Sequence, residues 1–341
     1  MDIYTDFPFQ DLQEMSDFAD SALTAGYSGI WATENKHDPF LMVAAAARRS
    51  RKLQIGIGVT ALLARNPFTV AQMSWDLHYN TGENFVLGVC AHQDIHLSAR
   101  LGLSPERKHE RLVESIAAIR EIWASWMEDR EPEFRGRHFS ISVCPVGYRP
   151  TTRLFTLPPV YLLCSTAEDL DIGCQCADGV FVHPTWTQAF LDIYVAPRLA
   201  RGTRAAKSIP VIDGGIVATG LTAKGLIRSR QQARQRIGGY WLRGDYDSIY
   251  ELTGVMTQVT RYRNAAAGGM VDWEASWLQD LYRTFVCEAL VDDLPDAIEC
   301  SRAAVVTGIF PNIVSDIPRL LPRHVVQSIF EVRRPAVQHE H

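Results

Sequence analysis

Nothing in the 341 residues approaches the roughly 18 uninterrupted apolar positions that a membrane-spanning helix requires, so no membrane partner is expected. The opening MDIYTDFPFQ lacks the basic stretch and following apolar run of a secretory signal, which makes a cytoplasmic chain the expectation. Excess positive charge is missing too. A formal net charge of -5 supplies no basic field for a nucleic-acid groove, leaving a small-molecule substrate as the expected partner. The seven cysteines are odd in number and scattered, without the paired spacing of a zinc site. They read as reduced core thiols, and no metal is expected. Cys174 and Cys176 sit at helix positions i and i+2, which point apart. A dinucleotide fingerprint is likewise absent: GIGVTA follows a strand, but Arg65, Asn66 and Pro67 then occupy the place where a helix would have to start.

What is present is a regular alternation. DIYTDF, YSGIWAT, KLQIGIGVTAL, NFVLGVC, PPVYLLC, DGVFVHP, IPVIDGGIVATG and IFPNIVS read as eight strands. Between them lie amphipathic helices such as FQDLQEMSDFADSALTAG, stopped by Gly26, and PFTVAQMSWDLHYNTG. One helix is expected to open with Ser104 as cap and Pro105 at its first position, burying Leu112, Ile116, Ile119, Trp123 and Trp126. Strand and helix alternate without a break in composition, which favours the α/β class and a closed (β/α)8 TIM barrel. A single domain is expected over residues 1–331, with a hairpin excursion at about 129–158, a helical insertion at about 239–285, and a flexible tail over 332–341.

In such a barrel, chemistry gathers where strands end. Glu34, His37 and Asp38 follow strand two, Thr60 strand three, His92 and Asp94 strand four, Ser165 and Thr166 strand five, His183 strand six, and Asp213 strand seven. An imidazole beside a carboxylate suits proton transfer near pH 7, so Glu34, His37 and His92 are the candidate catalytic residues. Asp38 before Pro39 reads equally well as a helix cap. His92 and His96 have the i, i+4 spacing of metal ligands but lack a clear third partner. After strand five, STAEDL opens a helix whose free N–H groups could hold a phosphate, although Glu168 would repel it.

The turn ENKHDPF, LARNPFTVAQMSWDL, NFVLGV, FRGRHF, PPVYLL, ADGVFVHP and DYDSIYELTG occur in an order that resembles the bacterial luciferase-like monooxygenase superfamily, in its coenzyme F420-dependent oxidoreductase branch. The resemblance spans about residues 20–315. It implies a flavin- or deazaflavin-dependent oxidoreductase or monooxygenase acting on a small organic substrate at the barrel mouth, with coenzyme F420 or FMN as cofactor. A homodimer is implied, and a flavin reductase as partner if FMN is used. It places the cofactor ring near Gly58, Val59, Thr60, Val89, Cys90 and Ala91, its phosphate near Cys164, Ser165 and Thr166, and His183 in the same cofactor-binding group. His37 and Glu34 would face the ring. Cys90 and the run Cys164, Ser165, Thr166, Ala167 stand where that branch has glycine turns, and Asp94 and Glu168 where it often has basic residues, which narrows the space and removes positive charge. These departures keep open an alternative: a cofactor-free lyase, cyclase or isomerase on the same barrel.

Overall fold

A computed structural model describes residues 1–7, 12, 14–47, 52–201, 209–301, 306–314 and 320–331. The expected tail over 332–341 lies outside the described residues, as do parts of the expected first helix before Glu14. Eight parallel strands close into a barrel: β1 (Asp2–Asp6), β2 (Gly29–Ala32), β3 (Gln54–Ala61), β4 (Phe85–Cys90), β5 (Val160–Cys164), β6 (Gly179–Val182), β7 (Val211–Asp213) and β8 (Gly308–Ile309). Each strand pairs with its neighbour in sequence, and β8 returns to β1 through Asp2 opposite Gly308. This is the (β/α)8 barrel that the alternation predicts.

The two-residue strand period sorts side chains between two cores. Ile30, Phe85, Leu87, Leu162, Val180 and Val182 face outward into the layer shared with the helices. Tyr4, Trp31, Val86, Cys90, Tyr161, Phe181 and Ile212 face inward and fill the lumen. Trp31 is its centre, fully buried, edge-on to Tyr4 at 5.1 Å and to Phe181 at 4.6 Å. In β3 the alternation slips: Ile55 and Ile57 face outward, yet Val59 joins the lumen. The slip falls where the β3–β4 register shifts between Ile57 and Thr60, at a cis Gly58–Val59 peptide. Across this pair Gly88 is required, because a Cβ there would lie 2.0 Å from the Ile57 carbonyl oxygen.

The helix after β3 runs Pro67–Asn80, with Asn66 accepting from the Phe68 N–H at 2.9 Å and proline at the first position. The helix after β4 runs Lys108–Met127 and buries Leu112, Ile116, Ile119, Trp123 and Trp126 as predicted. It starts later than Ser104 and Pro105 suggest, since Arg107 adopts a left-handed φ of 54° that breaks the helical path. Phe134–Arg135 and Ser140–Ile141 pair antiparallel, giving the predicted hairpin excursion. No described helix is long and apolar enough to cross a membrane.

Sequence periodicity runs the seventh strand unbroken from 209 to 220; the structure divides it. β7 ends at Asp213, whose carboxylate accepts from the Gly215 N–H at 2.9 Å, and the chain resumes as a strand over Ile216–Gly220. That second strand lies between Val286–Leu290 and Asn312–Val314 in a separate parallel sheet. Helices Ala223–Trp241, Met256–Ala267 and Ser276–Phe285 accompany it. Ile216, Ile237, Trp241, Tyr246, Tyr250, Leu281 and Phe285 form a second apolar core there.

Candidate functional site

At the strand-end mouth a cavity of about 430 Å³ opens above the filled lumen. Its floor and walls come from the ends of β4, β5 and β6; its roof is the 240–246 segment of the second core. A volume in the hundreds of cubic ångströms is the range of small-molecule sites. Cys90, Ala91, His92, Ser165, Thr166 and His183, all anticipated from the sequence, line it together. Val89 and Cys164 stand behind them in the outer core. Gly58 and Val59 border the Trp31 side of the lumen rather than the cavity.

Glu34 and His37 are not brought to the cavity lining. The Glu34 carboxylate turns to β3, accepting from the Thr60 hydroxyl, from the Ala61 N–H at 3.1 Å and from Arg65 at 3.3 Å. Burial pushes its pKa up, but these donors outweigh burial and hold it below the usual carboxylate value. Arg65 also reaches Asp38 at 2.8 Å and donates to Thr60 Oγ1 at 2.9 Å. Asp38 in addition accepts from the Phe40 N–H at 2.9 Å, so the capping role read from the sequence holds. His37 stays exposed on this turn. A link to the cavity does exist through Arg100, which lies 3.8 Å from Glu34 and donates to His92 Nε2 at 3.0 Å.

His92 leaves β4 with a left-handed φ of 62°. Burial, reinforced by Arg100, lowers its pKa to about 4, so near neutrality it is an uncharged imidazole. His92 and His96 lie 5.8 Å apart ring to ring, and among the described residues no group of three His, Cys, Asp or Glu side chains is placed to hold a metal. Burial also pushes the Cys90 thiol up to about 12, which leaves it an unreactive thiol in the wall.

The 239–285 insertion reads from the sequence as a lid over the mouth, but no residue of the roof is singled out there. Tyr246 stacks on His183 at 4.6 Å, its hydroxyl lies 3.2 Å from His183 Nε2, and the Gln93 amide bonds to the same hydroxyl. The Thr185 N–H donates to His183 Nδ1 at 3.3 Å, so the ring proton sits on Nε2 and points to Tyr246. Burial lowers the His183 pKa to about 3 and raises that of Tyr246 to about 12. Both are therefore neutral at physiological pH, and the Tyr246 oxygen accepts from Gln93 and His183 while keeping its own O–H proton. Tyr240 packs edge-on to His183 at 5.1 Å, and Arg243 lies 5.5 Å from the Tyr240 ring at the cavity edge.

A second residue missed in the sequence is Asp6, at the end of β1 with the inward phase of Tyr4. Burial raises its pKa to about 7 against the opposing Thr33 and Phe7 hydrogen bonds, and its Oδ1 has no partner among the described residues. It is a strand-end carboxyl outside the cavity lining, able to exchange a proton near neutrality. The sign of its effect on stability follows. Between the ordinary value near 4 and about 7 the unfolded chain releases this proton while the folded one retains it, so stability falls with rising pH through that window. Asp6→Asn should stabilise the protein by about 1–3 kcal/mol at pH 8 and by little at pH 4, read from denaturant midpoints across pH. A gain independent of pH would show that Asp6 is not carrying this proton.

The luciferase-like monooxygenase family model matches residues 3–289. An uncharacterised protein of Mycobacterium tuberculosis is 25% identical over 297 residues, covering 84% of this chain and 86% of its own. Among solved structures, the coenzyme F420-dependent tetrahydromethanopterin reductase of Methanopyrus kandleri superposes with a TM-score of 0.70 at 17% identity, covering 97% of each chain. The FMN complex of the oxygenating constituent of 3,6-diketocamphane monooxygenase from Pseudomonas putida gives a TM-score of 0.64 at 13% identity over 98% of each chain. At these identities the structural likeness establishes the fold.

Proposed function

Because the chain belongs to the luciferase-like monooxygenase family, we propose that this oxidoreductase holds a flavin or deazaflavin ring in the mouth cavity and acts there on a small organic substrate. The single observation that carries the reading is the roofed cavity itself, walled by Ala91 and His183 and closed by Tyr240 and Tyr246, with an aromatic lining and a volume that suit a small planar ring. When bound, the ring would supply hydride transfer or oxygen activation. The chain's own residues orient and protonate. Tyr246, fixed by His183 and Gln93, offers a neutral O–H group, and His92 offers an uncharged imidazole. The roof packs on His183 and keeps water from its contact with Tyr246, which strengthens that hydrogen bond.

Titration of the purified protein with riboflavin, FMN and coenzyme F420 tests the reading through quenching of ligand fluorescence. Saturable binding of at least one of them in the micromolar range is expected, weakened about tenfold or more by Tyr246→Ala. Absence of binding by all three would overturn it. A second reading, a cofactor-free lyase, cyclase or isomerase, is favoured by one observation: Trp31 fills the lumen beside Gly58 and Val59, where the family resemblance puts the ring. Turnover without any of the three cofactors would decide for it.

A further inference from the structure

The helix Ala167–Cys176 begins at the cavity wall, and its first N–H groups are the natural seat for an anion. In this chain the two N–H groups that lead into the helix, and that of Asp169 within it, are bonded internally. The Ser165 N–H donates to Asp169 Oδ2 at 2.9 Å and the Thr166 N–H to the same oxygen at 3.0 Å. The Asp169 N–H returns a bond to the Thr166 hydroxyl at 3.1 Å, completing a reciprocal cap. Asp169 is 7% exposed, and its other oxygen is 2.9 Å from His109 Nε2. His109 Nδ1 lies 2.9 Å from the carboxylate of Glu168, so one imidazole clasps both acids.

An incoming phosphate would have to displace Asp169 and approach Glu168, both negative. The cavity offers little compensation. Lys108 is paired with Asp94 at 2.7 Å, and against Lys108 and Arg243 the lining carries Asp94, Asp169 and Asp245. The remaining lining includes the neutral side chains of Tyr240, Tyr246 and His183, packed on one another.

We infer that the site selects the phosphate-free form of its ring ligand, a riboflavin-type ring and polyol chain, over the phosphorylated form. This rests on the reading that a flavin-type ring occupies the cavity. The carboxylate of Asp169 stands in the position a phosphate would otherwise take, and the helix dipole stabilises that internal charge.

Parallel fluorescence titrations of the full chain with riboflavin and FMN test it. Riboflavin should bind at least about tenfold tighter. Glu168→Gln, at a 67% exposed side chain outside the reciprocal cap, should narrow the preference severalfold by strengthening FMN binding alone. Asp169→Asn should narrow it further, and retained riboflavin affinity shows that the variant is folded. Equal or tighter binding of FMN by the wild-type protein, or an unchanged preference in Glu168→Gln, overturns the inference while leaving the cavity reading intact. Binding of neither flavin overturns the inference, and the cavity reading falls with it when coenzyme F420 also fails to bind.

Discussion

Trp31→Ala is expected to cost about 3–5 kcal/mol, the range for truncating a buried tryptophan to alanine. The side chain is fully buried and touches rings from three other strands: Tyr4 of β1, Tyr161 of β5 and Phe181 of β6. Nothing nearby can collapse into the space, because the surrounding positions are held by the closed barrel rather than by a movable helix. The denaturant midpoint should drop with an unchanged slope. Trp31→Phe should cost much less, since the indole N–H has no acceptor among the described residues and its loss leaves nothing unpaired. A loss below about 1 kcal/mol for the alanine variant would show that the lumen is not packed as described.

Arg65→Ala should cost about 2–3 kcal/mol. Arg65 answers two carboxylates and a hydroxyl at once, with Glu34 only 15% exposed and Asp38 36% exposed. Removing it leaves Glu34 facing burial with fewer donors, and an uncompensated charge is costlier than the pair was favourable. The more accessible Asp38 contact contributes little of this. In the variant the Glu34 pKa should rise, so the loss should be largest near neutral pH and shrink as acid protonates the carboxyl. Adding Glu34→Gln should recover a large part of it, a coupling that a double-mutant cycle measures. Equal losses at pH 8 and well below the ordinary glutamate value would contradict this account.

Much of the barrel was legible because local rules and the global fold agree there. Alternation in β2, β4, β5 and β6 separates lumen from outer layer residue by residue. The β7 break was hidden because Gly214 and Gly215 interrupt an otherwise unbroken apolar pattern, and only tertiary pairing shows that Ile216 starts a different sheet. The strand Val286–Leu290 was hidden for the opposite reason: it follows helical Phe285 directly, with no turn residue between.

At the site, strand ends pointed correctly to Cys90, His92, Ser165 and His183 as neighbours. The turn after β2 misled for a physical reason. Glu34 and His37 are close in sequence, but the carboxylate finds stronger donors on β3 than the imidazole offers, so the two part company. Asp6 reads as an ordinary polar strand end, and its burial depends on distant residues. Tyr246 joins Gln93 across 153 positions, a separation no local pattern records.

Tyr246 belongs at once to the smaller apolar core and to the hydrogen-bonded wall around His183. Closure of the mouth is thus one thermodynamic act with the folding of the 216–290 lobe. A guest gripped by the phenol adds its binding free energy to the integrity of that lobe, and loosening the lobe releases the guest without touching any barrel strand.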